Sequence, residues 1–309
     1  MSDLSVGVSF RAGGELCPNG VSDLLSYAVL AEEAGFDDFD AADHLLLETT
    51  APDNYPGGTF RWSEESFWPE PLILLSSVAA RTTRIGLTSS VLVVPLRPAV
   101  LVAKTAATLD NLSNGRLRLG MGSGWNRVEF AAVGMPYIGR TQRLEDTIGA
   151  CRALWGEGPA TFESESVSFK DVSSHPLPAH RIPILLGGAA IPEVANRAAR
   201  LADGWNPMQS QRSEIELGIE LLREAFARHG RDPQNITVRA AVPEPIVTAA
   251  LTRRDPAGLL DELGELAGLG VTDVKLYLSG SIERPEDVPG ALAWLSDVLE
   301  LTAGTTFRE

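Results

Sequence analysis

Four short stretches carry the residue types that could do chemistry. Asp43-His44 sets a carboxylate beside one of only four histidines in the chain, and an imidazole there titrates near neutral pH and can move a proton. Ser89-Ser90-Val91 puts two hydroxyls inside the greasy run Ile85–Val94, where they need hydrogen-bond partners. Gly122-Ser123-Gly124-Trp125 and Gly187-Gly188-Ala189 each fall between an expected strand and an expected helix. Bare backbone N–H groups at such a place suit an anion such as phosphate. Trp125, Trp62 and Trp68 offer apolar walls for stacking. Each feature also has a plainer reading. His44 could be bonded locally in a loop, Asp43 could cap the next segment, the glycines could make a bulge and a tight turn, and Trp125 could pack a helix.

Other chemistries find less support. No Walker A or GxGxxG pattern follows the first strand, and no GxSxG elbow occurs. Lys104 and Lys275 are the lysines expected on a helix or strand. Lys275, placed near the start of the last strand, is a poor Schiff-base candidate. Asp43 and His44 are too isolated to form a metal triad, so no metal is expected. Cys17 and Cys151, the two cysteines, have no CxxC or His-rich surroundings, which argues against a disulfide framework.

The elements that must position these residues alternate along the chain. Strands are expected at Leu4–Phe10, Phe36–Ala42, Ile85–Val94, Leu117–Met121, Ile182–Leu186, Gly204–Asn206, Asn235–Val242 and Val274–Leu278. Helices are expected at Val21–Gly35 (apolar side Leu25, Val29, Leu30, Ala34), Pro69–Arg81, Val100–Leu112 (inward side Leu101, Lys104, Thr105, Leu109, Leu112), Asn126–Val133 and Thr141–Trp155. Further helices are expected at Pro192–Leu201, Glu214–His229, Asp255–Gly270 and Glu286–Leu301. Two long loops interrupt the alternation. One, Leu47–Trp68, contains Pro52, Pro56 and Gly57-Gly58; the other, Glu157–His180, allows short strands at Thr161–Phe162 and Val167–Phe169. Eight strand–helix pairs in a chain of 309 residues predict an α/β fold, a (β/α)8 TIM barrel forming a single domain over 1–309, with loop insertions at its C-terminal mouth. A doubly wound open sheet is the alternative. In a barrel the four stretches lie at strand ends and converge on one mouth.

A net charge of −15 makes nucleic acid or an anionic membrane a poor partner. No apolar run is long enough to span a bilayer, and MSDLSVGVSF has no basic or apolar leader, so a cytoplasmic location is expected.

Several stretches together resemble the bacterial luciferase-like superfamily: AEEAGFDDFDAADH, SSVLVVPLRPAVLVAKTAATLDNLSNGRLRLGMGSGWNRVEF, GRTQRLEDTI and PILLGGAAIPEVANRAARLADGW. The resemblance runs in register from about Val6 to Asn206, and the last hundred residues follow only in the order of elements. It implies a (β/α)8 barrel binding coenzyme F420 or FMN at its C-terminal mouth, and within the family the chain looks most like the F420-dependent oxidoreductases. Carried over residue by residue, it implies a non-prolyl cis peptide at Ser90-Val91 behind the deazaflavin ring. It places Asp43 and His44 near the hydride-transferring carbon, with His44 catalytic. It sets Ser123-Gly124 and Gly187-Gly188-Ala189 around the phosphate and the ribityl chain, and Trp125, as a stackable wall, joins them as a cofactor-binding candidate. Two departures matter. Sugar-phosphate dehydrogenases of the family carry a glutamate where this chain has Trp125, which speaks against a sugar-phosphate substrate. Many flavin-dependent relatives carry Arg-His-Pro where this chain has Arg97-Pro98-Ala99. The implied function is hydride transfer between F420 and a small organic substrate, with an FMN-dependent monooxygenase using O₂ as the alternative and a homodimer as the assembly.

Overall fold

The computed structural model describes residues 4–10, 14–48, 55, 60, 62, 66–208 and 211–301. Eight parallel strands close into a barrel in the order β1-β10-β9-β8-β7-β4-β3-β2. They are β1 (Ser5–Ser9), β2 (Asp38–Ala41), β3 (Gly86–Val93), β4 (Leu117–Gly122), β7 (Ile184–Gly188), β8 (Gly204–Pro207), β9 (Thr237–Ala241) and β10 (Asp273–Tyr277). Between β4 and β7 an antiparallel pair, β5 (Ala160–Glu163) and β6 (Ser168–Val172), stands apart from the barrel. The helices are α1 (Val21–Glu33), α2 (Pro71–Ala79), α3 (Ala99–Ser113), α4 (Arg127–Ala132), α5 (Arg140–Leu154), α6 (Pro192–Leu201), α7 (Arg212–Arg228), α8 (Glu244–Arg253), α9 (Ala257–Leu269) and α10 (Val288–Leu299). This is the (β/α)8 architecture, and the open-sheet alternative is excluded by the β1–β10 and β1–β2 ladders that close the ring.

Several local expectations are corrected. In α1 the fully buried residues are Leu24, Tyr27, Ala28 and Ala31, while Leu25, Leu30 and Ala34 of the expected side pack half-buried against the core. In α3 Leu101 and Leu112 are exposed, while Ala99, Val102, Ala103, Ala106, Ala107 and Leu109 face inward. Small side chains let this helix approach the strands closely, so residue size misled the pattern. Gly122, Gly187 and Gly188 belong to the strands rather than to the turns that follow. Helix α8 was not expected between the seventh barrel strand and the helix that follows it; Pro243 is its N-cap and Pro245 lies in its first turn. The α3 stop at Asn114-Gly115 is confirmed. Both residues are left-handed, and a Cβ on Gly115 would run into the His180 ring.

Within the barrel the base is ionic. Arg118 bonds Asp273 and, at 3.2 Å, Asp38; Arg239 bonds Asp38 at 2.5 Å and lies 3.6 Å from Asp40. These side chains are buried, and such charges persist in an interior only when paired. Among the described residues no helix is long and apolar enough to cross a membrane. Of the loop Leu47–Trp68, Pro52, Pro56, Gly57 and Gly58 lie outside the described residues.

Candidate functional site

The C-terminal ends of β2, β3, β4 and β7 are consecutive in the barrel, so they bring all four stretches to one side of the mouth. His44 stands just beyond β2. Its Nδ1 faces Glu129 Oε2 at 3.3 Å, and the other carboxylate oxygen, Oε1, accepts from the Leu45 amide at 2.7 Å. Glu129 lies on the short α4, whose N-cap Asn126 accepts from Val128 N at 2.9 Å. This helix therefore holds the loop 44–45 from across the mouth. With Nδ1–H given to the carboxylate, Nε2 is left as the proton-accepting nitrogen.

Asp43 is fully engaged in the framework. Its Oδ2 accepts from Val93 N at 2.8 Å and from Arg97 Nη1 at 2.6 Å, and its Oδ1 from Arg97 Nη2 at 2.9 Å. Arg97 also reaches Glu70 at 3.0 Å. Burial alone would lower the Arg97 pKa; hydrogen bonds and charge from Asp43, with Glu70, raise it instead. The pair pins the end of β3 to the loop that carries His44.

Aromatic rings wall this corner. The His44 ring meets Trp68, Phe60 and Trp125 edge-on, with centroids 4.9, 5.7 and 5.8 Å away. Tyr55 packs on Phe60 and Trp125, and Trp62 on Phe60 and Trp68. Trp68 Nε1 is buried with no hydrogen-bond partner among the described residues.

The floor is made at β3. The Ser90-Val91 peptide is cis, as the resemblance implied, and β3 breaks register with β4 between Ser89 and Leu92. The Val91 side chain sits against three glycines. A Cβ at Gly120, Gly122 or Gly187 would lie 3.2, 2.7 or 2.9 Å from it. Gly122 and Gly187 are thus required by close packing. Beneath the floor, Ser90 Oγ accepts from Asn206 Nδ2 at 3.0 Å and from Lys275 Nζ at 2.8 Å. Lys275 is the third residue of β10 and spans the barrel interior, which corrects its placement near the strand's start.

The residues present fit a phosphate-bearing ring cofactor. Among the described residues nothing accepts from the amides of Ser123, Gly124, Trp125, Ala189 or Ala190, which leave the adjacent strands β4 and β7. Gly124 is left-handed, and its carbonyl accepts from Arg140 Nε at 3.0 Å, which sets a cation beside these amides. Open N–H groups with a neighbouring guanidinium suit an anion, and the Val91 floor and aromatic wall suit a flat ring. Among the described residues no three His, Cys, Asp or Glu side chains converge to hold a metal.

Sequence reasoning missed Glu129, Asn206 and the engagement of Lys275. Glu129 carried one usable signal, an acidic residue in the first turn of a helix beginning directly at the mouth. Asn206 and Lys275 carried none beyond polarity within a strand.

A model of the luciferase-like monooxygenase family matches residues 3–250. An uncharacterized protein of Mycobacterium tuberculosis is 31% identical over 267 residues, covering 84% of this chain and 87% of its own length. An F420-dependent glucose-6-phosphate dehydrogenase of Amycolatopsis mediterranei is 34% identical over 203 residues, 64% of this chain and 56% of that enzyme. The solved structure of an F420-dependent secondary alcohol dehydrogenase in complex with an F420-acetone adduct shares the fold, with a TM-score of 0.77 at 16% identity over 99% of this chain and 100% of that one.

Proposed function

We propose, since this chain belongs to the luciferase-like monooxygenase family, that it is an F420-dependent oxidoreductase acting on a small apolar or aromatic organic substrate. The observation that carries this reading is the His44–Glu129 pair standing beside the Val91 floor and the open amides of β4 and β7. A bound deazaflavin supplies hydride transfer at a ring carbon and reacts poorly with oxygen. The chain's own residues do the rest. Ser123, Gly124, Trp125 and Ala189 offer amides to the phosphate arm. Val91 supports the ring. Gly187 and Gly188 bring the β7 backbone close. The aromatic wall excludes water and orients the substrate. His44 Nε2 takes or gives the proton that accompanies hydride transfer, and Glu129 holds the imidazole in the tautomer that leaves Nε2 available.

Two features favour F420 over FMN: the Amycolatopsis relative is F420-dependent, and no histidine follows Arg97. The wall around Trp125 favours an apolar substrate over a sugar phosphate, and the Glu129 carboxylate is bonded to His44 and Leu45. The family's monooxygenase members make an FMN-dependent reaction with O₂ the second reading.

Fluorescence titration with F420 and, separately, FMN tests the reading. Micromolar or tighter F420 binding with much weaker FMN binding is expected. The reverse order, with oxygen consumed on turnover, would favour the second reading. His44→Ala is expected to lower turnover at least about a hundredfold while leaving F420 affinity within about twofold, and Glu129→Gln to follow it in the same direction. Unchanged turnover in His44→Ala removes that residue's role.

A further inference from the structure

Below the floor lies a charged group that the proton-handling pair does not use. Lys275 is 3% exposed. Its ammonium donates to Ser90 Oγ at 2.8 Å and to Asn206 Oδ1 at 3.1 Å, while Asn206 Nδ2 donates to the same Ser90 Oγ at 3.0 Å. The Ser90 oxygen thus accepts twice, and both lone pairs are taken. A hydroxyl in that state can only donate to a third partner. No described residue accepts that proton. Ser90 immediately precedes Val91, the floor residue.

We propose that Lys275 is a positioning residue for the redox cofactor. It holds Ser90 as a hydrogen-bond donor toward the cofactor ring and sets a buried positive charge beneath it. The site therefore binds the reduced ring more tightly than the oxidised one. This rests on the proposed function, in which a deazaflavin or flavin ring lies against Val91. Hydride brings two electrons and one proton, so a ring that gains it becomes more negative by one charge. A fixed cation and a committed donor below the ring stabilise that added charge and cost no reorganisation when it arrives. Asn206 completes the device. Its amide oxygen and nitrogen fix the ammonium and the hydroxyl at once, so Ser90 cannot turn its lone pairs upward.

The test is anaerobic titration of wild type, Lys275→Met and Asn206→Asp with oxidised F420 and with dithionite-reduced F420. FMN and reduced FMN replace them if the wild type prefers flavin. Lys275→Met removes the charge. Asn206→Asp sets a carboxylate against the ammonium and cancels it while keeping the side chain's shape, so it carries the test if the methionine variant does not fold. In each variant the Kd for the reduced form is expected to rise about tenfold relative to that for the oxidised form. For a two-electron couple this lowers the potential of the bound cofactor by about 30 mV. An unchanged ratio in the folded variants overturns the role of Lys275 and leaves the proposed function standing. A wild type that binds neither F420 nor FMN overturns the proposed function, and this inference with it.

Discussion

Replacing Asp43 by alanine should unfasten the His44 loop and measurably destabilise the barrel. The carboxylate is 1% exposed and Arg97 12%, so solvent screens the pair weakly. Removing one member of a buried ion pair costs about 3–5 kcal/mol. The stranded Val93 amide adds a cost of about 1–3 kcal/mol. The two costs overlap, and Arg97 keeps Glu70 at 3.0 Å, so a total of about 4 kcal/mol is expected. An unfolding entropy of about 2.1 cal/mol/K per residue over 309 residues amounts to about 0.65 kcal/mol/K, so Tm should fall by about 6 °C. Urea unfolding followed by tryptophan fluorescence and far-UV circular dichroism reads the same loss as a lower midpoint at unchanged slope. Two companions sharpen the result. Asp43→Asn keeps an oxygen for Val93 and should lose less. Asp43→Leu with Arg97→Met replaces the pair by apolar volume and should recover much of the stability. An Asp43→Ala protein melting within about 1 °C of wild type, or losses from Asp43→Ala and Arg97→Ala that simply add in the double variant, would refute a coupled buried pair.

Gly187→Ala places a methyl group 2.9 Å from Val91 Cγ1. It is expected to cost about 1–3 kcal/mol and to weaken cofactor binding by displacing the floor, as read by titration beside a melting curve. For Asp203, burial raises the pKa, but hydrogen bonds from Arg181 and Ile184 N, with the charge of Arg152, outweigh it and leave the carboxyl below its usual range. Its contribution is therefore present above the unfolded value near 3.9 and lost as pH falls through the depressed folded value. Asp203→Asn should destabilise at pH 7 and converge on wild type as pH falls below the usual carboxylate range in urea titrations; a constant gap would oppose this. Burial pushes the thiol of Cys151 up to about 12 and, with Asp23 nearby, that of Cys17 up to about 11. Both should stay unreactive toward Ellman's reagent at pH 8 until urea is added, and rapid labelling of the native protein would contradict their burial.

The alternation of strands and helices was legible because each is marked by local signals: β-branched runs for β3, Asn114-Gly115 for the end of α3, Gly270 for the end of α9. The faces of the helices were less so. Barrel helices pack on strands through alanines, and the largest apolar residues of α3, Leu101 and Leu112, stay outside. The mouth was legible as four stretches, but not as a network. His44 finds Glu129 across 85 positions of sequence, and Asp43 finds Arg97 across 54. Pairings at that separation leave no periodic trace. The polar barrel interior was the least readable, since Asp38, Asp40, Arg118, Arg239 and Lys275 look like the solvated side of a strand until the sheet closes on itself.

That interior bears on how the chain assembles. Of its six charged groups, Asp38, Asp40 and Arg118 come from β2 and β4, while Arg239, Asp273 and Lys275 come from β9 and β10. The first half-barrel alone would carry one excess negative charge inside and the second one excess positive charge. Neither half can dry its inner surface without the other, because an uncompensated ion resists leaving water. Docking of the two halves neutralises both at once. Dehydration of the interior is thereby tied to ring closure, half-barrels are disfavoured as stopping points, and fragments split between β4 and β7 are electrically matched for reassociation.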